Sequence, residues 1–406
     1  MLDLALSQAN RTGKYISDCN MIRIIAPMGS RSYFGAERAN IDLLYRLQQQ
    51  GAAVLCLVRH EDWPENIALR EILTQRGLAW EKVPFPEYPS SRYWRYWPKV
   101  AIETLWRYFS LNQRSIELAK KWGATHLHLF NPFQAASLYT MINRTNIKIV
   151  FRSGEKPIIH NLFYRKTWQW LQEQNINFVA ESEYLSDSLN GIGISKKSIE
   201  VIRTPPPLRT TPGASHTQAL NHNKPGINFI YIGQIAEFKG ISHLIKAFRI
   251  VLNTHNDAFL LICGPIDSEW AHSIATSCSD LIDLGRVEFA GMVEDVPEAL
   301  AKCDVHVAPS LKPEGYGLVA VEAKQASLPS IVYKLGGLGE LVLDEVEGIA
   351  LTERTPEALA RAMLRYCDDP LRARTDGIRA HVSLTERLHV DLHDEAWQKI
   401  YTRSIG

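Results

Sequence analysis

Cysteine is scarce and scattered. The 406-residue chain has six (Cys19, Cys56, Cys263, Cys278, Cys303 and Cys367), and no two form a C-x-x-C pair. That argues against a disulfide framework and a structural zinc site, and it fits a reducing cytosol. Long apolar runs are missing as well. No stretch approaches the ~20 residues of a membrane span, and the first twenty residues have no apolar signal-peptide core. Nucleophile and phosphate signatures are absent: there is no G-x-S-x-G and no P-loop, which removes the common serine-hydrolase and NTPase patterns. No D-x-D carboxylate cluster ends a strand, so no resident metal is expected. Charge of one sign does not dominate: the net charge is +1 and no nucleic-acid motif is present, which argues against a nucleic-acid partner. The balance is uneven, however. Residues 1–200 carry a net +7 and the remainder −6, an asymmetry that can reflect different partners for the two halves.

What is present is an ordinary globular composition, 46% apolar and 22% charged, on a chain too long for one core. Residues 1–20 are polar and read as an extension ahead of Met21 and the strand-like Ile22–Ala26. From there short apolar runs alternate with helical patterns. The strand-like runs are Ile22–Pro27, Ala53–Val58, Thr125–Phe130, Ile147–Phe151 and Asn177–Ala180. Between them lie helical runs such as Ala36–Gln50, which stops at Gly51. Residues 204–225, beginning Thr204–Pro205–Pro206–Pro207, have no periodicity and read as a linker. The rhythm then restarts with strands Asn228–Ile232, Ala258–Cys263, Val287–Ala290, Asp304–Ala308 and Ser330–Tyr333. Short strands alternating with helices imply a parallel sheet covered on both faces. The expected fold class is therefore α/β, with two doubly wound Rossmann-like domains, residues 21–203 and 226–383. A final helix in 384–406 is expected to pack back on the first domain. Ligands of such domains bind at the C-terminal ends of the strands, here expected in a cleft between the two.

The most informative stretch is Pro309–Ser310–Leu311–Lys312–Pro313–Glu314–Gly315–Tyr316–Gly317–Leu318, followed by Val321–Glu322–Ala323. Strand, Gly-rich turn and helix N-terminus follow one another. Such a turn aims backbone N–H groups and the helix dipole at an anion. The carboxylates Glu314 and Glu322 beside it can accept hydrogen bonds from hydroxyls. Together they suggest a ligand that is both phosphorylated and polyhydroxylated. Gly233–Gln234 through Lys239–Gly240 follows the first strand of the second half and puts a cation before a helix. Gly264 and Gly291 also end strands, and Gly336–Gly337–Leu338–Gly339–Glu340 is a further glycine-rich turn, a candidate anion nest. In the first half, Tyr33–Phe34–Gly35 precedes a helix, and His126 and His128 share one face of a strand. Tyr93–Trp94–Arg95–Tyr96–Trp97–Pro98–Lys99 and Trp106–Arg107–Tyr108–Phe109 mix aromatic and basic residues, the composition of a surface that meets anionic lipid.

These segments, taken together over Phe229–Pro370, resemble the large retaining glycosyltransferase family of GT-B fold, which includes bacterial mannosyl- and glucosyltransferases. The resemblance rests on Gly233–Gly240, Pro309–Ala323 with its two glutamates, and Gly336–Glu340 in this order. It implies transfer of a hexosyl group from a UDP-, GDP- or similar nucleotide sugar to a sugar, polysaccharide or lipid-linked hydroxyl, without cofactor or metal. It implies that Glu314 holds donor hydroxyls and Glu322 the ribose, and that Lys239 pairs with the diphosphate. The N–H groups of Gly315, Tyr316, Gly317, Leu318 and Val319 would meet sugar and diphosphate. Met292 and Val293, after Gly291, would lie near the base. Gly35 would belong to a phosphate-facing loop, and His128 would face the reacting sugar. Departures are Gln234, where many relatives carry Arg, Phe34 in place of a second Gly, Arg152–Ser153–Gly154–Glu155 in the acceptor half, and Thr204–Pro207. The expected setting is cytoplasmic, with peripheral contact to an anionic membrane. Two rival readings remain at this point: a nucleotide-sugar epimerase, and a non-catalytic nucleotide-sugar-binding partner.

Overall fold

The computed structural model describes residues 21–29, 35–86, 97–159, 161–207, 226–293 and 295–403. The extension 1–20, Tyr33, Phe34, the run Tyr93–Tyr96 and most of the linker, 208–225, lie outside the described residues. The chain forms two compact units. The first comprises Met1–Glu181, Ser186–Ile202 and Asp391–Gly406; the second comprises Ser182–Leu185 and Arg203–Val390.

The first unit is built on a seven-stranded sheet. Its strands are β1 (Arg23–Met28), β2 (Ala53–Arg59), β3 (Ala79–Val83), β4 (His126–Leu129), β5 (Lys148–Ser153), β6 (Ile176–Ala180) and β7 (Ile199–Val201). They stand in the order β3-β2-β1-β4-β5-β6-β7, every pair parallel. The central strands are almost continuous apolar runs because both faces are covered by helices, as a parallel sheet requires. The helix Val390–Arg403 joins this core: Trp397, Ile400 and Tyr401 pack with Ile24, Val54, Cys56 and Val150. A separate helix, Pro370–Arg387, precedes it, so the C-terminal region holds two helices where the sequence pattern suggested one.

The second unit has six strands: β8 (Asn228–Ile232), β9 (Phe259–Cys263), β10 (Val287–Gly291), β11 (Val305–Ala308), β12 (Ser330–Tyr333) and β13 (Gly348–Leu351). Their order is β10-β9-β8-β11-β12-β13, again all parallel. Amphipathic helices cover it. Ile241–Leu252 turns Ile241, Leu244, Ile245, Phe248 and Val251 inward at helical spacing. Pro356–Asp368 starts at Thr355, whose hydroxyl accepts from Ala358 N, with Pro356 in the first turn.

Three strands escaped the sequence pattern: β3, β7 and β13. All three are sheet edges. An edge strand pairs on one side only, so it can be short, polar or glycine-led, and it then has no apolar run to detect. The segment Ser182–Leu185 was also unforeseen as part of the second unit. It is attached there by hydrogen bonds described below, not by any local pattern.

Candidate donor-binding site

Within the second unit the C-terminal ends of β8, β9 and β10 are tied side by side. Gly233 N donates to Cys263 O at 2.9 Å, and Gly264 N donates to Gly291 O at 2.7 Å. The loop leaving β8 is shaped from below by Tyr231, whose hydroxyl donates to Gln234 O at 2.8 Å. Burial, and secondly the nearby Glu314 carboxylate, raise this phenol well above the ordinary tyrosine range. The loop then makes one 3-10 turn, Glu237–Lys239, and ends at Gly240 with φ of 76°. A Cβ at Gly240 would stand 2.0 Å from Pro309 O. Only glycine permits both the left-handed conformation and that approach. Leu311 N completes the junction by donating to Phe238 O at 2.8 Å.

This junction brings Lys239 to Glu314. The ammonium lies 2.9 Å from Glu314 Oε1. The buried Ser310 hydroxyl donates to the same oxygen. Both partners therefore sit on Oε1. Glu314 and Gly315 are in turn held by backbone: Glu314 bridges Gly336, and Gly337 N donates to Glu314 O at 2.8 Å. Ser182 Oγ donates to Gly315 O at 2.6 Å. The glycine turn 336–337 is thus a backbone clamp for the Glu314 turn. Glu340 does not point to a ligand: its carboxylate accepts from Glu183 N at 3.0 Å and Tyr184 N at 2.7 Å and lies 3.5 Å from Arg203.

The helix Leu318–Gln325 begins at Gly317, so the amides of Gly315 to Val319 surround its N-terminus. Glu322 sits on this helix, 5% exposed. The helix is anchored behind by the buried Lys324–Glu347 ion pair, with Arg387 3.6 Å from Glu347. Tyr316 turns inward: its side chain is buried and its hydroxyl donates to Thr204 O at 2.7 Å, so only its backbone remains for a ligand. Gln234 and Met292 are exposed, Gly233, Gly291 and Val293 partly so.

In the first unit Gly35 is the exposed first residue of the helix Gly35–Gln49, with no atom within 4 Å of a built Cβ. His128 requires a correction. It does not face a substrate; it is fully buried, with Nδ1 2.7 Å from Tyr401 Oη and Nε2 3.3 Å from Asn40 Oδ1. Trp397 packs at 5.9 Å between ring centroids. The sequence showed a histidine near a strand end, but the last helix, far along the chain, folds over it. His126 is buried too, its Nδ1 2.8 Å from Thr125 Oγ1.

These two histidines have a measurable consequence. Burial, with Lys148 nearby, lowers His126 to about 4; burial, with Arg152 nearby, lowers His128 to about 3. An unfolded histidine titrates near 6.5. Below that pH the unfolded chain binds protons that the folded unit refuses, so stability falls as pH drops from 6.5 toward 4. We expect the melting temperature of the first unit to fall over this window, and to fall less in His126→Gln and His128→Gln. Equal pH slopes in wild type and both variants would overturn the assignment.

All-parallel, doubly wound sheets in two units, the second ending its strands in a Lys–Glu–glycine turn site, define the GT-B fold. Residues 214–380 match the family described as glycosyl transferases group 1. An uncharacterized glycosyltransferase of Methanocaldococcus jannaschii, MJ1607, is 35% identical over 142 residues, 34% of this chain and 35% of that protein. Glycogen synthase of Mycobacterium tuberculosis is 26% identical over 241 residues, 57% of this chain and 54% of that protein. The chain thus spans a third to about half the length of these relatives. Anabaena Alr3699/HepE, solved in complex with UDP-glucose, superposes with a TM-score of 0.72 at 18% identity, covering 94% of this chain and 100% of that one.

Proposed function

We propose that the chain is a retaining glycosyltransferase that moves a hexosyl group from a nucleotide-diphosphate sugar to a hydroxyl acceptor. The observation that carries this reading is Lys239 Nζ at 2.9 Å from Glu314 Oε1, on loops that flank the N-terminus of the helix Leu318–Gln325. A cation and helix amides suit a diphosphate, and a carboxylate suits sugar hydroxyls. Lys239 and the amides of residues 315–319 take the leaving diphosphate, Glu314 the sugar, Glu322 the ribose, and Met292 with Val293 the base. His128 is left out of the reacting group because of its burial. No carboxylate is assigned as a covalent nucleophile, so attack and departure share one face of the sugar. No metal takes part, and activity is expected to persist in EDTA. Similarity to a UDP-glucose complex supports a UDP-sugar as the first donor to try.

The acceptor belongs to cell-surface polysaccharide, lipopolysaccharide or glycolipid synthesis, and the protein works in the cytoplasm against the membrane surface. Support comes from the helix Trp97–Trp122, where Ile102, Leu105, Trp106 and Phe109 recur at helical spacing and are all more than half exposed. Among the described residues no helix is long and apolar enough to cross a membrane.

A thermal-shift screen of nucleotide sugars tests the donor, since a ligand that binds only the folded state raises the melting temperature. The stabilising donor is then supplied with acceptor in anionic vesicles, and the product is read by NMR. Retention of the donor's anomeric configuration, with the protein co-floating with vesicles at low salt, is expected. Inversion overturns the mechanism, conversion of donor without acceptor favours an epimerase, and a protein that stays off the vesicles removes the membrane setting.

A further inference from the structure

We propose that Lys312 is a second donor-binding cation, acting with Lys239 on the diphosphate; this rests on the donor-site reading above. The two lysines meet at one aromatic ring. Lys239 Nζ lies 5.8 Å and Lys312 Nζ 5.7 Å from the ring centroid of Phe238. The loops that carry them are fastened at the same residue, because Leu311 N and Lys312 N both approach Phe238 O, at 2.8 and 3.4 Å. Lys312 is therefore placed by backbone, and its ammonium is held at the ring by cation–π attraction.

Only one of the two lysines is paired with a carboxylate among the described residues. Lys239 is matched by Glu314. Lys312 has no carboxylate within 4.0 Å among the described residues, and its side chain is exposed. Gln234, on the loop leaving β8, adds no charge. The Lys239–Glu314 pair is neutral as a unit, and the exposed Glu237 on the same turn forms no ion pair with Lys312 among the described residues, so Lys312 is the cation left for an anionic ligand. Both ammonium groups lie at the Phe238 ring, where a bound anion can draw on either charge. A nucleoside diphosphate carries the matching charge. A bound diphosphate draws Lys239 away from Glu314 and frees that carboxylate for sugar hydroxyls, while Lys312 holds the second phosphate.

Calorimetric titration of the full chain with UDP and GDP, and with the matching monophosphate and nucleoside of whichever binds, tests this. Lys312→Gln is expected to weaken the diphosphate about ten-fold, as loss of one charge-assisted contact does. Nucleoside binding should change less than about two-fold, and Lys312→Arg should restore the diphosphate. Because Lys312 is exposed, the melting temperature without ligand should not move. If wild type binds the diphosphate and Lys312→Gln binds it equally well, Lys312 has no such role while the donor site stands. If wild type binds neither diphosphate, the donor-site reading falls, and this proposal with it.

Discussion

Glu314→Gln and Lys239→Ala should each reduce sugar transfer by about a hundred-fold or more while leaving the fold intact. The asymmetry follows from where the two residues sit. Their side chains are 23% and 22% exposed, in a half-open ion pair. Such a pair contributes at most about 1 kcal/mol to stability, so its loss should shift the melting temperature by only a few degrees. Against a diphosphate leaving group the same charges act on the transition state, where removing one preorganised electrostatic partner costs roughly 10²–10³ in kcat. Glu314→Gln is the sharper test. The amide keeps the shape and an oxygen to accept from Ser310 Oγ, so what is lost is the negative charge and the second acceptor oxygen. Initial rates with the stabilising donor, beside melting curves, measure both halves of the expectation. Turnover like that of wild type in either variant would remove these residues from the reacting site.

Gly337→Ala should damage both stability and activity, by displacing the turn that carries Glu314. A Cβ there would lie 2.0 Å from Gly315 O, 2.7 Å from Gly315 C and 2.8 Å from Ser182 Oγ. The φ at Gly337 is −64°, which any residue adopts, so the effect is one of space alone. Two backbones must separate, breaking the bond from Gly337 N to Glu314 O and displacing the turn that carries Glu314. Overpacking of this kind costs about 1–3 kcal/mol. Transfer should fall at least ten-fold, since small displacements of positioning groups are costly in rate. Gly35→Ala is the contrast: a Cβ there meets nothing within 4 Å, and its melting temperature should be unchanged or slightly raised. Equal melting temperatures for Gly337→Ala and wild type would show that the clamp gives way freely.

Much of this molecule is legible along the chain. β8 and β12 fall on the residues their apolar pattern marks, and the inner strands of both sheets within a residue or two of it. A buried parallel strand has to be a short apolar run, and a helix that covers it has to repeat its apolar residues every three or four. Lys239 and Glu314 were readable as a cation and a carboxylate beside helix starts, because glycine turns and helix patterns mark those positions locally. Three of the four edge strands were not legible, since half of their surface is free of packing constraint; the edge strand β10 was. Ser182 gave no sign at all: a serine in a loop becomes the partner of Gly315 O only when a distant segment is laid beside it.

The division between the two sources of information is physical. Secondary structure, sheet class and the chemical identity of the candidate-site groups follow from side-chain period, backbone preference and charge, all of which act over a few residues and are written locally. Which groups meet is decided by close packing over long sequence separations. Glycine backbones at 240 and 337 let loops approach to distances no side chain allows, and so seat Lys239 against Glu314. The last helix buries His128 beneath Tyr401 and takes from it the role its place near a strand end suggested. Neither outcome has a local signature, because a close approach is a property of two segments and is not encoded in either one alone.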